Sequence, residues 1–296
     1  MAVDRVTREV ITALSDQNIN ALLLKGPAIA QWLYPTGGRI YGDTDLLVNP
    51  IDFSRAAEEL TKLGFGEPIR GRAAHAHTYR RRDPETGNTF SVDLHRTLPY
   101  VTVAPGQAWQ ILSSGAERIR LGDVDVRVLG IPQRCLHIAM HAVQHASESS
   151  RPLEDLRRAI AAVEFEAWQD AAAQGRMLGV EDALAAGLCL EPDGRAIADT
   201  LGLTSRRRGI LRIASSEAAE GAAYEVQRVF DAASFGERIK LITDGVLVSP
   251  ALLRQKSPMA RRGRGGLVLA YLCRPFQLVG RLGPALVSRK RILKTP

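Results

Sequence analysis

The chain is poor in cysteine, poor in aromatic residues and without a long unbroken apolar run. Its three cysteines, Cys135, Cys189 and Cys273, are scattered with no short spacing between any two. Such a set fits reduced thiols in a cytosolic protein and excludes a disulfide framework or a structural zinc site. The longest apolar stretch, Leu267 to Val287, is interrupted by Arg274, Pro275, Arg281 and Pro284. No transmembrane helix is expected, since one needs about 20 mostly apolar residues. The opening MAVDRVTREVITAL has no apolar h-region, so it does not read as a secretory signal. Acidic residues are missing from one end: the last is Asp244, and the residues after it hold 11 Lys or Arg. The net charge of +7 is therefore a property of that end, because the first 244 residues carry 28 basic and 32 acidic groups, 28 − 32 = −4. A bulk argument from basicity to nucleic-acid binding fails for such a distribution.

What remains is an ordinary globular composition. Apolar residues make up 45% of the 296 and charged residues 24%, enough to bury a core. With aromatics at 5% and Ala and Arg abundant, the chain reads as helix-rich. Helical periodicity over 4–17 places Val6, Val10, Ile11 and Leu14 on one face. Ala21-Leu22-Leu23-Leu24 is a short buried strand that ends at the turn Lys25-Gly26-Pro27, with a helix from Ala28 to Tyr34. Asp45 to Val48 is a second strand, stopped by Asn49-Pro50, and Ile51 to Leu63 is an amphipathic helix closed by Gly64. His75 to Arg81 and Thr89 to His95 read as strands around the turn signal Asp83-Pro84-Glu85-Thr86-Gly87-Asn88. A helix is expected from Gln107 to Ser114, then a hairpin of Arg118–Leu121 and Val124–Leu129 about Gly122-Asp123. From 133 to about 240 the pattern is Ala-rich and helical, with breaks near Arg151-Pro152, Gly175, Glu191-Pro192 and Gly202. The expected organisation is a mixed catalytic domain over 1–130, a helical domain over 131–245 and a basic helical tail over 246–296.

The chemistry concentrates in three short segments: Lys25-Gly26, Gly42-Asp43-Thr44-Asp45-Leu46-Leu47-Val48 and Val92-Asp93-Leu94-His95. Carboxylates at i and i+2 of an extended segment point to one side. Asp43 and Asp45 are therefore expected side by side at a sheet edge, anchored by the apolar run from Leu46. Two like charges so close stay ionised only with a cation between them. Mg²⁺ binds through a few carboxylates plus substrate phosphates, so the pair reads as a cradle for a nucleotide's metal. Asp93 adds a carboxylate from a second strand, and three from two strands can hold two metals roughly 3.5–4 Å apart. Lys25-Gly26 at a strand-to-helix turn offers a backbone N–H and a point charge to phosphate.

These segments, with Leu23-Leu24, Pro27-Ala28, Tyr34-Pro35, Arg39 and Leu63-Gly64-Phe65, resemble the DNA polymerase β-like nucleotidyltransferase superfamily. They are most similar to its bacterial family of uncharacterised nucleotidyltransferases, in which LKG-x-A, R-x-x-x-D-x-D-L-L-V and D-L-H follow in order. The likeness continues through Leu136-His137-Ile138-Ala139-Met140-His141 and Ala270-Tyr271-Leu272-Cys273-Arg274-Pro275. It implies an α+β fold, a small mixed sheet with helices followed by an all-helical C-terminal region. It also implies Asp43, Asp45 and Asp93 as catalytic metal ligands, and Lys25 and Gly26 near a triphosphate. Mg²⁺ or Mn²⁺ is the implied cofactor and a nucleoside triphosphate the co-substrate. The chain departs from the wider superfamily at Gly26-Pro27, where Gly-Gly or Gly-Ser is usual, and Pro27 has no N–H to give a phosphate.

Other features have plainer readings. His95 shares the Asp93 face and either contacts substrate or orients Asp93, if it is not simply a hydrogen-bonded structural histidine. Arg39 pairs with an aspartate or binds phosphate. His137, His141 and His145 lie on one helix face but spread over ~12 Å at 1.5 Å per residue, too far for one ion. They read as a polar face packed against the catalytic domain. His75 and His77 sit in a basic loop that could line a cleft. Trp32, Trp109 and Trp168 read as packing residues. The expected reaction moves a nucleotidyl group from a nucleoside triphosphate to a hydroxyl or phosphate, releasing pyrophosphate, in the cytoplasm. A small-molecule or peptide acceptor is favoured over RNA. The alternatives are a toxin-like enzyme acting on tRNA or protein, and a non-catalytic nucleotide sensor of the same fold. The basic tail is a solvated helical end, a weak RNA contact or a weak membrane-surface contact.

Overall fold

A computed structural model of the chain describes residues 2–70, 75–84, 86–145, 150–203 and 257–274, with isolated positions between 236 and 254. Much of the expected helical stretch beyond 203, and the tail beyond 274, lie outside the described residues. The class is α+β. Helix α1 (Ala2–Asp16) leads into β1 (Ala21–Leu23), α2 (Pro27–Leu33), β2 (Asp43–Val48) and α3 (Phe53–Lys62). Then come β3 (Ile69–Arg70), β4 (Ala76–Arg82), β5 (Thr89–His95), α4 (Pro105–Ser113), β6 (Glu117–Leu121) and β7 (Val124–Val128). Helices α5 (Ile131–His145), α6 (Arg151–Ala162), α7 (Phe165–Leu178), α8 (Glu181–Leu188) and α9 (Pro192–Thr200) follow, and a further helix covers 263–274.

The strands form one mixed sheet in the order β3-β4-β5-β2-β1-β7-β6. β2 is antiparallel to β1 and parallel to β5, and β1 is parallel to β7. β2 is thus the central strand, flanked on both sides. That corrects the expectation of an acidic pair at a sheet edge. Two sequence signals set this arrangement. Apolar runs such as Leu46-Leu47-Val48 suit strands covered on both faces, while Thr89–His95 alternates and puts Phe90, Val92 and Leu94 on one side. That side joins Val6, Val10 and Leu14 of α1 and Ala56 and Leu60 of α3 in a continuous core. Thr44, on the same side of β2, is buried and meets Thr7 of α1 through a 2.7 Å hydroxyl–hydroxyl hydrogen bond. Asp43, Asp45, Asp93 and His95 have the alternate parity and face the opposite side of the sheet.

The chain forms two compact units, neither a single continuous segment. One comprises Met1–Ile69, Ala74–Ile138 and Arg158–Glu181, and the other Arg70–Ala73, Ala139–Arg157 and Asp182–Pro296. In the first, Trp168 of α7 is fully buried and Trp32 lies under the Arg134 guanidinium, 4.7 Å from the ring centroid. The helix break expected near Gly175 falls four residues later. α7 runs through Gly175 and ends where Gly179 takes a left-handed φ of 67°. Gly175 stays helical and buried within α7, whereas the left-handed Gly179 forms the cap. No helix among the described residues is long and apolar enough to cross a membrane.

In the second unit α8 lies so close to α5 that a Cβ at Gly187 would stand 2.2 Å from the Ala139 carbonyl oxygen. The clash is with backbone, which cannot swing aside. Gly187→Ala is expected to cost about 1–3 kcal/mol through overpacking, read as a lower urea midpoint with an unchanged slope.

Candidate active site

The centre of the site follows from strand pairing. The β1–β2 ladder extends one residue past Leu23, with the Leu24 N–H donating to the Asp45 carbonyl at 2.9 Å. Lys25 is the next residue, and its Nζ stands 2.7 Å from Asp45 Oδ1. The chain then turns sharply. Gly26 has φ 60° and ψ −119°, a conformation open essentially to glycine, and caps α2 with Pro27 in its first turn. A Cβ at Gly26 would also press on the Tyr41 ring at 3.3 Å. Gly26 therefore has a steric reason to be glycine, independent of any ligand.

On the other flank, β2 and β5 run parallel with Asp45 directly opposite Asp93. Thr78, opposite Asp93 on β4, donates its hydroxyl to Asp93 Oδ1 at 2.6 Å. His95 brings Nε2 to 3.4 Å from Asp45 Oδ1, and the His75 ring stacks on it with centroids 5.7 Å apart. One ligand atom from each of Asp45, Asp93 and His95 lies within 4.8 Å of the others. Asp43 opens this face at the solvent-exposed start of β2.

The electrostatics explain how these charges coexist. Asp45 is only 1% exposed, and burial alone would favour its neutral acid. The Lys25 ammonium and His95 outweigh burial and hold the Asp45 carboxyl well below the usual range. Burial likewise pulls Lys25 toward the neutral amine, but Asp45, Asp43 and Asp93 prevail and push its pKa up. Asp43 is pushed up, first by the protein mass around it and then by repulsion from Asp45. Three carboxylates thus share one ammonium. The surplus negative charge, the oxygen-rich donor set and a buried Asp45 Oδ2 with no hydrogen-bond partner among the described residues suit a hard divalent cation.

Lys25, Asp43, Asp45, Asp93 and His95 come together. Arg39 is buried, and its charge bears on Tyr41, whose hydroxyl donates to Asp4 at 2.8 Å. Two neighbours escaped the sequence reading. Thr78 carries no motif that would mark it. His137 was read as part of a polar face packed against the catalytic domain, and its ring interacts electrostatically with Lys25, Asp45 and His95, a closeness to the carboxylates that this reading did not name. Its position in α5 between Leu136 and Ile138 was the available signal, since a histidine so flanked is set into a packed interior.

The family of uncharacterised nucleotidyltransferases matches residues 1–192, the stretch that holds every one of these groups. The chain belongs to that family. No curated protein matches it. Among solved structures it is similar to an antigenic nucleotidyltransferase-like protein from Paracoccidioides brasiliensis, at 14% identity and a TM-score of 0.41, over 68% of this chain and 93% of that one. Family membership makes this carboxylate-lined face the candidate active site. The face is built on the central strands of the sheet, where backbone pairing fixes each side chain.

His137 yields a test of its electrostatic setting. Burial, then the Lys25 charge, lowers its pKa from 6.5 to about 3, with Asp45 opposing. Between those values the unfolded chain binds a proton that the folded chain refuses. Stability from neutral His137 is thus complete above pH 6.5 and drains away as pH falls toward 3. In His137→Leu, the urea midpoint is expected to depend less steeply on pH across that window than in the wild type.

Proposed function

We propose that this nucleotidyltransferase uses a divalent cation, Mg²⁺ or Mn²⁺, to move a nucleoside monophosphate from a nucleoside triphosphate to a hydroxyl or phosphate of a small-molecule or peptide acceptor, with release of pyrophosphate. The observation that supports this most is the register of Asp45 against Asp93 on adjacent parallel strands, with ligand atoms of Asp45, Asp93 and His95 within 4.8 Å. Asp45 and Asp93 would hold the cation, with Asp43 beside them. When bound, the cation supplies charge neutralisation of the triphosphate and polarises the reacting oxygens.

The protein's own groups do the positioning. Lys25 keeps Asp45 ionised without a bound metal, so that carboxylate is always ready as a ligand. Thr78 fixes the Asp93 rotamer by its hydrogen bond. Asp93 is then held at a fixed angle, placed to accept the proton of an acceptor hydroxyl. Asp43, with its raised affinity for a proton, joins the site as an anion most readily when positive charge arrives. His95, stacked against His75, bears on Asp45 from the Asp93 side.

The test is transfer of label. The purified chain is incubated with each labelled nucleoside triphosphate, with Mg²⁺ or Mn²⁺, and with fractions of cell extract. Label is expected in small molecules or peptides and to vanish in Asp45→Asn and Asp93→Asn. Thr78→Val should retain activity reduced about ten-fold, since it loses only a positioning bond. Calorimetric Mn²⁺ binding should weaken in both Asn variants, whose far-ultraviolet circular dichroism should match the wild type. Label in tRNA or in protein side chains would assign the acceptor to the toxin-like class. No transfer with any nucleotide, while Mn²⁺ still binds, would make the protein a nucleotide sensor.

A further inference from the structure

The helix over 263–274 is apolar on two opposite faces. Leu267, Ala270 and Tyr271, spaced i, i+3, i+4, pack with Leu253, Met259 and Ala260 in a small core. That stripe is what an ordinary surface helix needs. A second stripe at Val268, Leu269 and Leu272, spaced i, i+1, i+4, lies on the far side. It is left 59%, 49% and 64% exposed. These are three of the few large hydrophobic side chains the described residues leave in solvent, and they are contiguous on one helix face.

The charges beside this stripe are of one sign. Arg262 and Arg264 are exposed at the N-terminal end of the helix, and Arg261 is anchored there by donating to the Arg254 carbonyl at 2.8 Å. Cations at a helix N-terminus oppose the macrodipole, so local helix stability does not account for them. Along the sequence no acidic residue follows Asp244, while 11 Lys or Arg do. An exposed aliphatic stripe with exposed arginines at its margin is the composition of a helix lying in the interface of an anionic bilayer.

We infer that the 263–274 helix docks the protein onto anionic lipid surfaces, with Val268, Leu269 and Leu272 entering the acyl boundary and Arg262 and Arg264 engaging lipid phosphates. The aliphatic stripe decides between lipid and nucleic acid. RNA recognition uses arginine and stacking aromatics and has no use for Leu269 or Leu272. The charge decides between lipid and a second copy of the chain, because a self-interface here would set like charges against each other. The described part of the helix covers 12 residues, about 18 Å. No helix among the described residues is long and apolar enough to cross a membrane, and the inferred contact is a peripheral one. This inference is independent of the transfer chemistry.

The experiment is co-sedimentation of the full chain with phosphatidylcholine vesicles, with or without phosphatidylglycerol. The wild type is expected to bind the anionic vesicles and to be released by salt. Leu269→Gln/Leu272→Gln should lower binding at least about ten-fold, as aliphatic area is lost from the bilayer. Arg262→Gln/Arg264→Gln should lower it about five-fold per charge at low salt and flatten the salt dependence. All four side chains are exposed, so both variants should melt with the wild type, and that control is run alongside. Equal binding to neutral and anionic vesicles, or no loss in the leucine variant, overturns the inference. So does a dimer that light scattering shows to need Leu269 and Leu272 while vesicles are ignored, or RNA binding that needs only the arginines.

Discussion

A buried carboxylate needs a counterion, and the pairing of Asp45 with Lys25 is the constraint around which the catalytic face is built. An ionised group transferred from water to protein interior costs several kcal/mol unless it is paired. Asp45 occupies the central strand at 1% exposure, so it has no water to fall back on. The register of β1 against β2 delivers Lys25 to it, and Gly26 then takes the chain away at a backbone angle other residues resist. β5 must stay parallel to β2 for Asp93 to sit opposite, and β4 must stay in register for Thr78 to reach Asp93. Each of these is a backbone relation, and a one-residue slip in any strand would turn its polar group into the α1–α3 core.

The same pairing sets the balance between stability and function. Once Lys25 has neutralised Asp45, the residual charge on the face is that of Asp43 and Asp93. This is a compromise between two extremes. A fully neutralised site would have no affinity for a cation, and three unpaired carboxylates would resist folding. His137 and His95 refine the balance in opposite ways. His95 lowers the Asp45 pKa, while His137 is kept neutral by burial and by the nearby ammonium, adding no further positive charge.

The face was legible in the sequence because its signals were local. Period-2 alternation over Thr89–His95 fixed which side Asp93 and His95 share. The spacing of Asp43 and Asp45 fixed their parity, and the apolar run after Asp45 implied a strand. What was hidden depends on which strands become neighbours. Nothing local says that β2 takes the centre of the sheet, that Thr78 will face Asp93, or that Lys25 will turn inward to an aspartate. Arg39 and Gly26 stood in motif positions, and packing sets both beside Tyr41, through charge for the one and through close approach of the ring for the other, a neighbour no local signal named. Gly175 and Gly179 mark the limit of reading breaks from glycine alone: only the second adopts the left-handed geometry that ends a helix.

Charge along the chain is segregated in a way that folding alone does not require. The first 244 residues carry a slight acidic excess and the residues beyond carry only positive charge. A globular domain gains nothing in stability from such a block, since like charges at close range repel and Arg262 and Arg264 stand at the wrong end of the 263–274 helix for its dipole. The outward stripe of Val268, Leu269 and Leu272 is a second cost, paid in exposed apolar area. Either feature alone has a bland explanation. An anionic surface with an apolar layer beneath it relieves both costs at the same helix, and it does so without drawing on any group of the carboxylate face.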